Sequence, residues 1–168
     1  GTVTRMTLDG TVRRTQEIDL AVAPLSAARI ELDACLASPR VPADEVLVAE
    51  IDGHRAWWWF ADDRDLRLAH PTYAATIEHD PMGGTSRFSL ASDVVVRDLV
   101  VHPDRLVAGA SIDRQVVDLR PGSTETFAIT WPSGFDARSV TAGQLLARPI
   151  SWSVRGLLAW RSRRGARS

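Results

Sequence analysis

The spacing of apolar residues along this chain follows the two-residue period of β-strands, in which alternate side chains face opposite sides. Thr2–Leu8 and Val12–Val22 are rich in Thr and Val and flank Asp9-Gly10, a strong hairpin signal because Gly10 accepts the positive φ of a tight turn. Ile18, Leu20 and Val22 alternate with polar or small neighbours, and after Pro24 the run Ala28–Asp33 alternates again, with Ile30 and Leu32 inward. Residues 34–45, with Pro39 and Pro42, read as a loop with one turn of helix. Val46–Ile51 is an apolar run that Asp52-Gly53 turns into a strand ending Trp57-Trp58-Trp59-Phe60. A second series starts at His70-Pro71. It comprises Tyr73–His79, a strand through Phe88 and Leu90, the valine-rich Val94–Val101, Val116–Leu119 and Thr126–Trp131, where Phe127, Ile129 and Trp131 point inward. The adjacent charges Arg97-Asp98 predict a bulge, since a regular strand would bury one of them. Pro121-Gly122 suits a type II turn.

Strands about ten residues apart, with turn signals between them and no convincing amphipathic helix, predict an all-β chain of two tandem immunoglobulin-like β-sandwiches, residues 1–66 and 67–168. Residues 144–160 remain open between strand (Ile150, Trp152, Val154) and helix (Val154, Leu157, Leu158).

The aromatic run is the candidate functional stretch. In a strand, Trp57 and Trp59 share one face and Trp58 and Phe60 the other, so both faces need a cover: the unit's own core, and a neighbouring domain, a partner or a ligand. A flat indole face suits stacking on a sugar ring, so Trp57, Trp58, Trp59 and Phe60 are candidates for carbohydrate binding or for an interdomain clamp. The competing reading is that they, with Trp131, Trp152 and Trp160, fill cores and interfaces, as large apolar groups usually do. Asp62-Asp63-Arg64-Asp65 reads as a charged exit from one unit into the next.

Composition narrows the function classes. The 168 residues are 45% hydrophobic, enough for real cores, and 20 basic residues against 21 acidic give a net charge of −1, so nucleic acid has no electrostatic case as a partner. Every basic residue is Arg and Asn is absent, a pattern of GC-rich coding that points to a bacterium. Cys35 is the single cysteine, which excludes an internal disulfide and a thiolate zinc site. No stretch has the roughly 20 apolar residues of a membrane helix, and no membrane partner is expected. The chain opens at Gly1 without Met or signal peptide, which suggests a piece of a longer protein.

Catalytic patterns are missing. Asp62, Asp63 and Asp65 form a cluster, but nothing around them would bury one acid and raise its pKa, as a glycosidase acid requires. They also lack the spaced ligand loop of a calcium site. His54, His70, His79 and His102 do not recur at a metal-ligand spacing, and Ser86, Ser89 and Ser92 have no base at a recognisable spacing. No metal and no cofactor are expected. The basic end, Arg161 to Ser168, reads as a solvated tail.

Two stretches resemble a known family. Val48–Phe60 followed by Asp65-Leu66-Arg67-Leu68 is similar to the end of the penultimate immunoglobulin-like domain of family 2 glycoside hydrolases of the β-mannosidase type. Asp113–Ser123 resembles the Asp-Asn-x-Phe-Asp-Leu-x-Pro-Gly-Glu stretch of their final domain, with Arg114, Val117 and Ser123 in place of Asn, Phe and Glu. The order and spacing of the two, across residues 1–141, carry the likeness. The resemblance implies a non-catalytic accessory region whose partner is the parent enzyme's catalytic domain and whose parent acts on β-mannosides or other β-glycosides. The catalytic (β/α)₈ barrel of such enzymes needs about 250 residues, so no catalytic residue is carried over. The resemblance also implies that the first sheet lacks its opening strand and bares an edge.

Overall fold

The computed structural model describes residues 1–165, with side chains through residue 159. The chain is all-β in the sandwich class: three antiparallel sheets with short helices. It divides into two compact units, Gly1–Leu68 and Ala69–Ser168.

In the first unit, β1 (Thr2–Thr7) and β2 (Val12–Glu17) form the hairpin that Asp9-Gly10 signals, with Gly10 at φ +91°. The Asp9 carboxylate accepts from the Thr11 amide at 2.9 Å and from the Thr7 hydroxyl, which together hold its pKa below the usual carboxylate value. β3 (Glu45–Ile51) pairs with β1, and β4 (His54–Trp59) pairs with β3, giving the order β2-β1-β3-β4. Asp52 and Gly53, at φ +47° and +78°, supply the positive φ that a two-residue hairpin turn demands at both positions.

The expected strand at Ala28–Asp33 does not form, and the second strand stops at Glu17, leaving Val22 exposed. One face of the sheet is instead covered by the non-strand segment 18–44, which contains the short helix α1 (Ala34–Ala37). Val3, Ile18, Leu36 and Leu47 are buried together there, with Leu20, Ile30, Leu32 and Phe60 against them. The alternation of Ile30 and Leu32 is real, but their backbone is held by a side chain rather than a strand: Gln16 donates to the Glu31 carbonyl at 3.2 Å and accepts from the Asp33 amide at 2.9 Å. Glu45, almost fully buried, fixes the far end of the segment by accepting from the amides of Arg40 (3.0 Å) and Val41 (3.1 Å). Its second oxygen lies 3.2 Å from Arg5 Nε, an ion pair without hydrogen-bond alignment.

The second unit is a sandwich. One sheet runs β5 (Tyr73–His79), β6 (Thr85–Ser92), then β10 (Thr124–Thr130) and β8 (Ser111–Ile112). The other has β7 (Val96–Val101) between β9 (Val116–Leu119) and β11 (Ser151–Trp152). Phe88, Leu90, Phe127 and Ile129 from the first sheet meet Val96, Leu99, Val101 and Leu119 from the second, and Phe88 and Phe127 stack at 5.9 Å. The expected bulge is present: the β7–β9 register slips between Val96 and Leu99, Asp98 sits at φ +48°, and its amide donates to Asp118 Oδ1 at 2.7 Å. Val96 and Leu99 can therefore both be buried while the charges between them stay partly solvated. Helix α2 (Ala142–Leu146) begins with a capping box formed by Thr141 and Gln144. The segment left open between strand and helix contains both, β11 and then α3 (Val154–Gly165).

Candidate functional site

β4 is an edge strand, and the parity of its aromatic residues is as the two-residue period requires. Trp57 and Trp59 stack on one face, ring centroids 5.6 Å apart and planes 10° from parallel. Their cross-strand neighbours on that face are the buried Val48 and Val46. On the opposite face the two remaining aromatics part company. Phe60 packs into the core beneath segment 18–44. Trp58, opposite Leu47, is 66% exposed and presents an indole at the margin of the covered face. Of the four candidate residues, Trp58 alone offers a largely bare ring.

After β4 the chain turns at Asp62, whose carbonyl accepts from the amides of Asp65 and Leu66. Arg64 lies 3.7 Å from Asp62 and 3.6 Å from Asp65, all three well exposed. These acids are solvated and paired with a cation, unlike the buried general acid of a glycosidase. Leu66 and Leu68 return to buried positions.

One constellation escaped sequence reasoning. The β5–β6 register puts His79 opposite Ser86, with His79 Nδ1 2.8 Å from Ser86 Oγ. Trp131 Nε1 donates to the same oxygen at 2.7 Å. The indole can only donate, so the serine oxygen accepts from Trp131; toward His79 Nδ1 it either donates its own proton or accepts a second one, according to the imidazole tautomer. A serine beside a histidine suggests a nucleophile and its base. Ser86 is 4% exposed, its oxygen already accepts from Trp131, and no acid is hydrogen-bonded to His79 among the described residues. The trio is a buried polar tie at the end of the sandwich core. Its signal, residues seven apart across a Gly-Gly turn, becomes visible only once the hairpin register is known.

His54 and His70 are exposed, and His102 lies 3.8 Å from Asp104. Among the described residues no three His, Cys, Asp or Glu side chains converge to hold a metal, and no helix is long and apolar enough to cross a membrane. Trp160 and the basic run from Arg161 lie outside the residues whose side chains are described.

The fold has a counterpart among glycoside hydrolases. The β-D-mannosidase from Dictyoglomus thermophilum has a crystal structure that superposes with a TM-score of 0.65 over 91% of this chain at 12% sequence identity. The match spans 18% of that enzyme's chain, so the likeness is to the fold of one part of it. No protein-family model matches the sequence, and neither does any curated protein.

Proposed function

We propose that this chain is a non-catalytic accessory region of a β-mannosidase-like glycoside hydrolase, built as two tandem immunoglobulin-like units that pack on and support a catalytic barrel carried elsewhere in the parent protein. The observation that carries this reading is the superposition of 91% of the chain on under a fifth of a β-mannosidase. The exposed acids of residues 62–65 and the buried, fully engaged Ser86 supply no catalytic pair of their own. In this reading the barrel provides both carboxylates, and the two units hold it in place.

The test has two arms. The purified chain is expected to release nitrophenol from an aryl β-mannoside only at background rate, and the gene upstream of Gly1 is expected to encode a barrel. Turnover by the chain itself, or a gene that encodes no barrel, would overturn the reading.

The exposure of Trp58 favours a second reading, a carbohydrate-binding unit in which this ring is the stacking platform. Calorimetric titration with mannose and manno-oligosaccharides separates the two. Saturable heat that disappears in Trp58→Ala supports a sugar platform, and its absence leaves the ring to the catalytic domain.

A further inference from the structure

In the second unit, a cleft of about 250 Å³ opens between the turn at Pro103–Arg105, the segment 148–152 and the first turns of α3. Its walls are the apolar surfaces of Pro149, Trp152 and Leu157, and its charged groups are the guanidiniums of Arg105 and Arg148. Arg105 lies over the Trp152 ring, 5.5 Å from its centroid, and donates to the Pro149 carbonyl at 3.3 Å. Arg148 reaches the start of α3 and lies against Gly156, where a Cβ would stand 2.5 Å from Arg148 Nη2.

The electrostatics of this cleft are one-sided. No carboxylate lines it, and neither Arg105 nor Arg148 has an ion-pair partner among the described residues. The adjoining Asp104 is exposed and lies toward His102. The first turn of α3 contains no acid, and it is the positive end of the helix dipole, where a cation is unfavourable and an anion is stabilised. Trp152 Nε1 is buried without an acceptor. A buried donor left unpaired costs about 1–3 kcal/mol. Guanidinium and indole N–H groups can only donate, and carboxylate oxygens can only accept.

We propose that this cleft binds a small organic carboxylate, its anionic head between the Arg105 and Arg148 guanidiniums and its apolar flank against Pro149, Trp152 and Leu157. Two guanidiniums match the two oxygens of a carboxylate, and the apolar walls select an anion with a hydrophobic or ring-shaped body over a bare inorganic one. The cleft volume admits a body up to roughly the size of one sugar ring, so an aromatic acid and a hexuronic acid are both of the right class. The site is far along the chain from Trp58 and stands or falls independently of the accessory-region reading.

The whole chain is titrated at low salt with benzoate, glucuronate, glucose and inorganic phosphate, and followed by calorimetry and amide NMR shifts. At least one of the two carboxylates is expected to bind ~10-fold or more tightly than glucose and phosphate, with shifts at Trp152 and Gly156. Preference for benzoate assigns an aromatic acid, and preference for glucuronate assigns an acidic sugar. Arg148→Gln and Arg105→Gln are each expected to weaken that binding ~5-fold or more, while Arg114→Gln, in the β8–β9 connection with its side chain on β10, leaves it unchanged. If an Arg148 variant fails to fold, Arg105→Gln alone carries the test. Glucose or phosphate binding as tightly as both carboxylates, affinity indifferent to Arg105→Gln, or no saturable binding by ~50 mM would each overturn the proposal.

Discussion

Trp57 and Trp59 stack nearly parallel, 10° apart, while Trp58 between them stands 66% exposed on the other face. Three identical residues in succession therefore have different duties, and substitution should separate them. Trp59→Ala removes a half-buried ring and its stacking on Trp57, and is expected to destabilise the chain by about 2 kcal/mol or more, whereas Trp58→Ala should change stability by about 0.5 kcal/mol or less. Urea unfolding of the two variants checks the order. A larger loss for Trp58→Ala would contradict the assignment of faces.

The tie between Trp131, Ser86 and His79 predicts strong coupling. Ser86→Ala leaves the buried Trp131 Nε1–H without an acceptor and should cost about 1–3 kcal/mol, while Trp131→Phe deletes the donor along with part of the ring. In the double variant the unpaired donor no longer exists, so the combined loss should fall short of the sum. Additive losses in denaturant titrations would show that the hydrogen bond contributes little.

Tyr73 is the sole tyrosine, so the tyrosinate absorbance that appears when a phenol ionises reports it alone. Burial pushes its pKa from 10.0 up to about 12, partly offset by its hydrogen bond with Ser153. The folded state thus prefers the neutral phenol more than the unfolded chain does. That preference is fully expressed below pH 10 and is lost as pH rises through about 12, so stability should fall across this window. Spectrophotometric titration is expected to show a midpoint near 12 in buffer and near 10 in denaturant. A native midpoint near 10 would contradict the burial of the ring.

Glu45 couples β1 to segment 18–44 through the Arg5 ion pair and the two amides it accepts. Glu45→Gln leaves Arg5 with no counter-charge at a site where both side chains are largely buried, and about 3 kcal/mol of destabilisation is expected. Adding Arg5→Met should recover part of it, because the stranded charge is then gone. Thermal unfolding of the single and double variants measures the recovery.

The strands that could be read from sequence are those whose signal is local. Asp9-Gly10, Asp52-Gly53 and Pro121-Gly122 sit at turns with the glycine at positive φ, and Phe127, Ile129 and Trp131 are all buried. The Arg97-Asp98 bulge follows from two charges that a regular strand could not place. Ile30 and Leu32 show what period alone cannot decide. A half-buried alternation looks the same whether the backbone meets a neighbouring strand or, as here, the side chain of Gln16. The aromatic parity was legible for the same local reason, but the separation of Trp58 from Phe60 was not. It depends on where segment 18–44 ends its cover, a long-range fact. The Ser86–His79 contact, only seven residues apart, depends on the hairpin register, and the Arg105–Arg148 cleft joins chain segments more than forty residues apart, which no window of sequence contains.

The order β2-β1-β3-β4 sets the N-terminal strand in the interior of its sheet, hydrogen-bonded on both sides. Between β2 and β3 the chain passes through Leu25, fully exposed with φ +60°. Cleavage of the peptide bond after Leu25 would produce two polypeptides, yet it would cut none of the ladders that hold the sheet. The fragment carrying β1 and β2 would stay clasped to β3 along the full length of β1. The first unit is therefore suited to chain opening at Leu25: a protease nick, a permuted terminus or an inserted tag there would leave its strand order intact.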